Sequence, residues 1–170
     1  NFKNKIKADA IITKMNNIAI GVLTADCVPI IICDERNKIV GCIHAGWKGA
    51  ISGIINNTIK KIKKLNSNNK IYASVGPCIG EKNYEVDNKF YKKFVSKSWK
   101  NKIYFKYKSK TKKLFDLRRF ATDKLLKLNV KVDQIEKDTF AEKSNFFSYR
   151  RSQKFKQKDY GRCISTVRLI

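Results

Sequence analysis

The stretch VLTADCVPIIICDERNKIVGCIHAGWKGA, residues 22–50, decides how this chain is read. Its apolar runs PIIICD and IVGCIHA are short, rich in β-branched residues and separated by the charged turn ERNK, which is the pattern of buried strands. ADAIIT (8–13) and AIGVLT (19–24) read the same way. Asp26 and Cys27 then fall just beyond the end of one strand, and His44 falls at the end of another. Strand ends are where side chains can converge on a shared pocket while the sheet holds them rigid. His44 is the only histidine in 170 residues.

After Gly49 the period changes. Ile51, Ile54, Ile55, Ile59, Ile62 and Leu65 recur at helical spacing with lysines opposite them, so one amphipathic helix is expected over 51–65, closed by LNSNNK. IYASVG (71–76) returns to strand and runs into the turn GPCIGEKNYEV, and NKFYKKFVSKS suggests a second helix. KIYFKY (102–107) alternates like an edge strand. FDLRRFATDKLLKLN is a helix with Asp116 as its cap, VKVDQIEKDTF a strand leading to a loop, and GRCISTVRLI a closing strand. Helices and strands alternate with two prolines and no flexible linker, so the expectation is a single α/β or α+β domain over 1–170, with mixed sheets flanked by helices.

Composition sets outer bounds. At 42% hydrophobic residues the chain has enough for one proper core, and no run approaches the ~18 apolar residues of a membrane span. Residues 1–30 lack the pattern of a secretory signal, so a cytoplasmic protein is expected. The five cysteines are odd in number and lack CxxC spacing, which argues for reduced thiols rather than a disulfide framework or zinc ribbon. The net charge of +24 points by itself toward polyanions, yet lysine is scattered with Asn and Ile along the whole chain, the mark of an A+T-rich coding bias. None of the common sequence-reading modules is present, so no specific nucleic-acid partner is expected, only loose, salt-sensitive association.

A thiol and an imidazole brought together allow two chemistries. The imidazole can deprotonate the thiol to give a nucleophile, or both can ligate a borderline metal such as zinc. Cys33 and Cys42, inside apolar runs, read as packing. Trp47, in a Gly-flanked turn, reads equally as a core plug or as an aromatic wall for a planar ligand. The turn through Gly46 and Gly49 into a helix start leaves amides able to bind an anion.

Four segments in order, TADCVPIIICD, HAGWKGAISGII, GPCIGEKNYEV and FFSYRR followed by GR, resemble the multicopper polyphenol oxidoreductase, or laccase-domain, family. Its members are usually described as purine nucleoside phosphorylases with adenosine deaminase activity. The resemblance implies a layered sandwich related to cysteine hydrolases and a metal, zinc or alternatively copper, on one cysteine and two histidines. Cys27 and His44 match two of the three ligands. The third, from a Q-x-H segment ahead of the ADAIIT strand, is absent from the chain, so an N-terminally short catalytic domain is implied.

The resemblance further implies phosphorolysis of adenosine, inosine or methylthioadenosine by a monomer or homodimer. Cys27, His44 and Asp26 would be catalytic. The amides after Gly46 with Lys48 or Arg150 would hold phosphate, Asp26 or Tyr149 would contact base or sugar, and Trp47 or Phe147 would stack on the purine. Two departures stand out: Lys48 where the family more often has Arg, and Asp138 where it commonly has Cys before Thr. Two other readings stand beside it: a Cys27–His44 hydrolase editing peptidoglycan precursors, which uses the same pair, and an inactive, truncated basic binding protein, which rests on the charge. A true laccase is disfavoured, because one histidine cannot build several histidine-rich copper centres.

Overall fold

The chain, known here as a computed structural model that describes residues 7–65 and 68–170, is built on a five-stranded sheet. Its strands are β1 (Ala10–Thr13), β3 (Val28–Asp34), β4 (Ile39–Ala45), β5 (Ile71–Val75) and β9 (Lys131–Gln134), in the order β1-β4-β3-β5-β9. The pairs are antiparallel except β5 with β9. One face carries α2 (Ile54–Leu65) and α4 (Leu117–Leu126). Ile30, Ile32, Ile39 and Ile43 of the sheet meet Ile55, Ile59, Ile62, Phe120 and Leu125 of these helices in one core, every one of them nearly or wholly buried. Each such side chain contributes about 1.5–3 kcal/mol of burial.

The opposite face explains why β3 and β4 are apolar on both sides. β2 (Ala19–Thr24) does not join the main sheet. It pairs antiparallel with β10 (Cys163–Arg168), and this ribbon covers part of the outer face. Ile20, Val22, Val167 and Leu169 pack there against Val40, Cys42, Ile31 and Cys33. A strand buried from two directions has no reason to alternate. A third sheet, β6 (Glu85–Asp87), β8 (Lys112–Phe115) and β7 (Phe105–Tyr107), lies beside α3 (Asn88–Lys97). Phe90, Phe94, Phe105, Phe115 and Phe120 form a chain of ring contacts that joins it to the main core. The architecture is thus mixed α+β, several sheets flanked by helices.

Two expectations need correction. The single helix over 51–65 is two: α1 (Trp47–Ser52) stops at Gly53, whose φ of 96° only glycine adopts readily, and α2 restarts at Ile54. KIYFKY is an edge strand only in its last three residues. Tyr104 instead ends a 3₁₀ segment (Trp99–Tyr104) and is buried against Phe120, its hydroxyl donating to Asp123 at 2.8 Å. Asp116 does cap α4, accepting from the amide of Arg119 at 2.9 Å. Part of the LNSNNK turn lies outside the described residues. Among the described residues no helix is long and apolar enough to cross a membrane.

Candidate active site

Strand register brings the site together. β3 and β4 pair with Val28 opposite Ala45 and Pro29 opposite His44, which carries Cys27 to the place opposite Gly46. On the other side of β4, Ala10 pairs with Ile43, so Asp9 arrives beside His44. The His44 amide donates to the Asp9 carbonyl at 2.7 Å, and its Nδ1 lies 3.1 Å from Asp9 Oδ1. A carboxylate on Nδ1 holds the proton there and leaves Nε2 free to accept or ligate.

Nε2 and the thiol both approach Gly46. A methyl group built on Gly46 would stand 2.9 Å from Cys27 Sγ and 3.8 Å from His44 Nε2, so both atoms border one small space that exists because Gly46 has no side chain. Asp9, His44 and Cys27 bring a carboxylate, an imidazole and a thiol to the adjoining ends of β1, β4 and β3. Asp9 carries no sequence signal of its own, because only the β1–β4 register reveals it.

The thiol is largely out of water. Burial pushes Cys27 up to about 11, and the neighbouring Asp26, Cys78 and Asp9 push the same way. In this environment it is neutral near pH 7. Thiolate and imidazole suit zinc, but the described residues contain no group of three or more His, Cys, Asp or Glu side chains able to hold a metal ion. Two donors fit such an ion in kind and fall short in number.

Asp26 sits one residue away and faces elsewhere. It adopts φ 79°, is 8% exposed, and its carboxylate accepts three hydrogen bonds. The donors are Thr139 Oγ1 at 2.7 Å, Ser148 Oγ at 3.0 Å and the Arg150 amide at 2.6 Å. Arg151 adds bonds to the carbonyls of Thr139, Phe140 and Phe146. The segment 139–151 is thereby fastened beside Cys27. Asp138 begins it, accepting from Asn83 Nδ2 at 2.7 Å and from the Phe140 amide at 2.9 Å, in space left by Gly80.

The remaining candidates divide between two depressions. Trp47, Tyr84, Phe90, Lys112 and Arg150 line a cleft of 370 Å³. Trp47 packs 4.8 Å from the Phe90 ring and also borders the cleft. Arg150 lies 5.3 Å over the Tyr84 ring and donates to the Glu85 carbonyl at 2.7 Å. Burial raises the Tyr84 phenol above the usual range, and Cys27 is the next largest cause. Phe147 lines a separate depression of 780 Å³ with Phe155, Tyr160 and Gly161, and the Tyr149 ring lies tilted 5.2 Å from that of Tyr160 beside it. Lys48 has its ammonium 5.6 Å over the Trp47 ring. Gly46 is the N-cap of α1, a helix of six residues.

With this geometry in place, comparison with known proteins is direct. Residues 2–170 match the family described as multi-copper polyphenol oxidoreductase laccase. The chain belongs to that family. A purine nucleoside phosphorylase from Rickettsia conorii is 40% identical over 148 residues, 86% of this chain and 61% of the relative. Purine nucleoside phosphorylase YfiH from Escherichia coli is 32% identical over 167 residues, 96% of this chain and 65% of the relative. The crystal structure of hypothetical protein YfiH from Bacillus licheniformis superposes with a TM-score of 0.87 at 27% identity, covering 95% of this chain and 61% of that one. A Neisseria meningitidis protein gives 0.84 at 31% identity, with 95% and 64% covered. The chain therefore spans a little under two thirds of the laccase-family relatives it matches.

Proposed function

We propose that the chain carries the reacting end of a purine nucleoside phosphorylase. The observation behind this reading is the shared space over Gly46, bordered by Cys27 Sγ and His44 Nε2, with the next residue, Trp47, lining a cleft that also holds Arg150. Relatives named purine nucleoside phosphorylase support it.

In phosphorolysis a phosphate oxygen bonds to C1′ of ribose while the bond from C1′ to the purine nitrogen breaks. The bond electrons leave with the base, which must take up a proton. Arg150 supplies a cationic donor for phosphate in the cleft, and Trp47 supplies a face for the purine. His44, with Nδ1 held by Asp9, moves the proton at Nε2. Asp26 is a positioning residue: its carboxylate is spent on Thr139, Ser148 and the Arg150 amide.

Zinc is the metal that a completed site would take, with Cys27 and His44 as two ligands and a third donor from outside the described residues. Adenosine deamination belongs to that completed site. The rival reading as a thiol hydrolase uses the same order of groups, and the thiol raised to about 11 counts against it.

The test is incubation of the chain with inosine or adenosine and phosphate, with and without zinc, following free base, ribose 1-phosphate and inosine formed from adenosine. Phosphate-dependent release of base that is lost in His44→Ala supports the reading. No product from a folded, zinc-supplemented sample refutes it.

A further inference from the structure

Residues 88–113, comprising α3, the 3₁₀ segment, β7 and the start of β8, carry eleven lysines and no acidic residue. A coding bias toward lysine acts along the whole chain and does not clear acids from one module. The module is folded so that this charge faces water. α3 turns Phe90 and Phe94 into the aromatic core, which leaves Lys89, Lys92, Lys93 and Lys97 outside, and Lys100 and Lys102 follow on the 3₁₀ segment. Three lysines are matched: Lys106 with Glu81, and Lys108 and Lys112 with Glu85. The other eight form no ion pair among the described residues.

Aromatic rings are interleaved with them. Trp99 is 64% and Tyr107 71% exposed, although both are large rings that ordinarily bury. Lys102 lies 4.4 Å from the Trp99 ring centre, and Lys113 lies 5.2 Å from the rings of both Tyr107 and Tyr91. Unpaired ammonium groups attract phosphates, and exposed rings offer stacking faces to unpaired bases. A duplex has no free base face to stack. A membrane would favour a continuous apolar stripe, and that stripe of α3 is consumed by the core.

We propose that this module is a binding surface for single-stranded nucleic acid, sequence-tolerant and salt-dependent, in which Trp99 and Tyr107 stack bases and the unpaired lysines hold the backbone. It is separate from the space over Gly46 and independent of the phosphorylase reading.

The test measures fluorescence anisotropy of a labelled oligouridylate of about 20 nucleotides with the full chain across about 50 to 200 mM salt. The combined variant Lys97→Gln, Lys100→Gln, Lys102→Gln is expected to weaken binding about tenfold and to flatten the log–log salt slope by about 2. Removing the same charge from the exposed face of α2, with Lys60→Gln, Lys61→Gln and Lys64→Gln, is expected to change affinity less than about twofold. Trp99→Ala is expected to weaken binding about fivefold or more at unchanged slope, with Trp99→Phe restoring most of it. Tyr107→Ala gives a second reading of stacking should Trp99→Ala unfold. Equal losses from the two lysine sets would reduce the effect to diffuse charge and overturn the proposal. So would equal or tighter binding to a duplex of the same length, or to phosphatidylserine vesicles.

Discussion

Replacing Asp26 by alanine strips a buried carboxylate from three donors at once. Thr139 and Ser148 are 2% and 3% exposed, so their hydroxyls have little water to turn to, and the Arg150 amide loses its acceptor as well. An unpaired buried donor costs about 1–3 kcal/mol, but the three share one acceptor and the vacated volume admits some relaxation, so about 3 kcal/mol is the expected sum. Alanine at φ 79° adds about 1 kcal/mol that aspartate and asparagine largely escape. Asp26→Ala should therefore lose about 4 kcal/mol in urea unfolding. Asp26→Gly, which removes the backbone strain but not the lost bonds, should lose about 3. Asp26→Asn can keep its carbonyl on Ser148 and the Arg150 amide while its NH₂ donates to a rotated Thr139 hydroxyl, for a loss of about 1. Limited proteolysis should cut within 139–150 faster in the alanine protein than in the asparagine one. A loss below about 1 kcal/mol for alanine, or equal losses for alanine and asparagine, would refute the view that this carboxylate fastens the segment beside Cys27.

Gly46→Ala places a methyl 2.9 Å from Cys27 Sγ at a φ of −70° that alanine accepts, so phosphorolysis should fall by at least about tenfold with a stability change of about 1–2 kcal/mol. Calorimetry beside the activity assay separates the two effects. Asp9→Asn should lower turnover more than stability, because His44 then keeps a neighbour without the fixed proton; equal kcat in both proteins would count against a part for Asp9. Asp34 is buried, which raises its carboxyl, yet bonds from Asn37, Asn69 and the Lys70 amide more than offset this and leave it below 3.8. A lowered carboxyl adds stability above pH 3.8 that is lost as the pH falls through the folded value, so acid unfolding should be blunted in Asp34→Asn.

The site was partly legible from residue types. A solitary His44 and a Cys27 set at a polar strand end are unusual enough to be noticed without coordinates, and the helix cap at Asp116 follows from its place before an amphipathic run. The break at Gly53 was harder, since a glycine between two stretches of the same period does not announce a left-handed turn. Asp9 was not legible. Nothing about an aspartate before a four-residue strand tells which histidine it will face until β1 is laid against β4. The partners of Asp26 were not legible either: its position beside Cys27 suggests chemistry, and only the fold brings its carboxylate to residues more than a hundred positions away.

Local pattern thus determined which segments became strands and helices and where the chain's thiol and imidazole stood along them. These properties depend on neighbours a few residues apart, and a sequence displays such neighbours openly. Pairing of β2 with β10, the register that joins Asp9 to His44 and Cys27 to Gly46, and the direction in which Asp26 turns belong to the tertiary structure. They rest on contacts between distant segments, where a shift of one residue would send each side chain to the other face of its sheet.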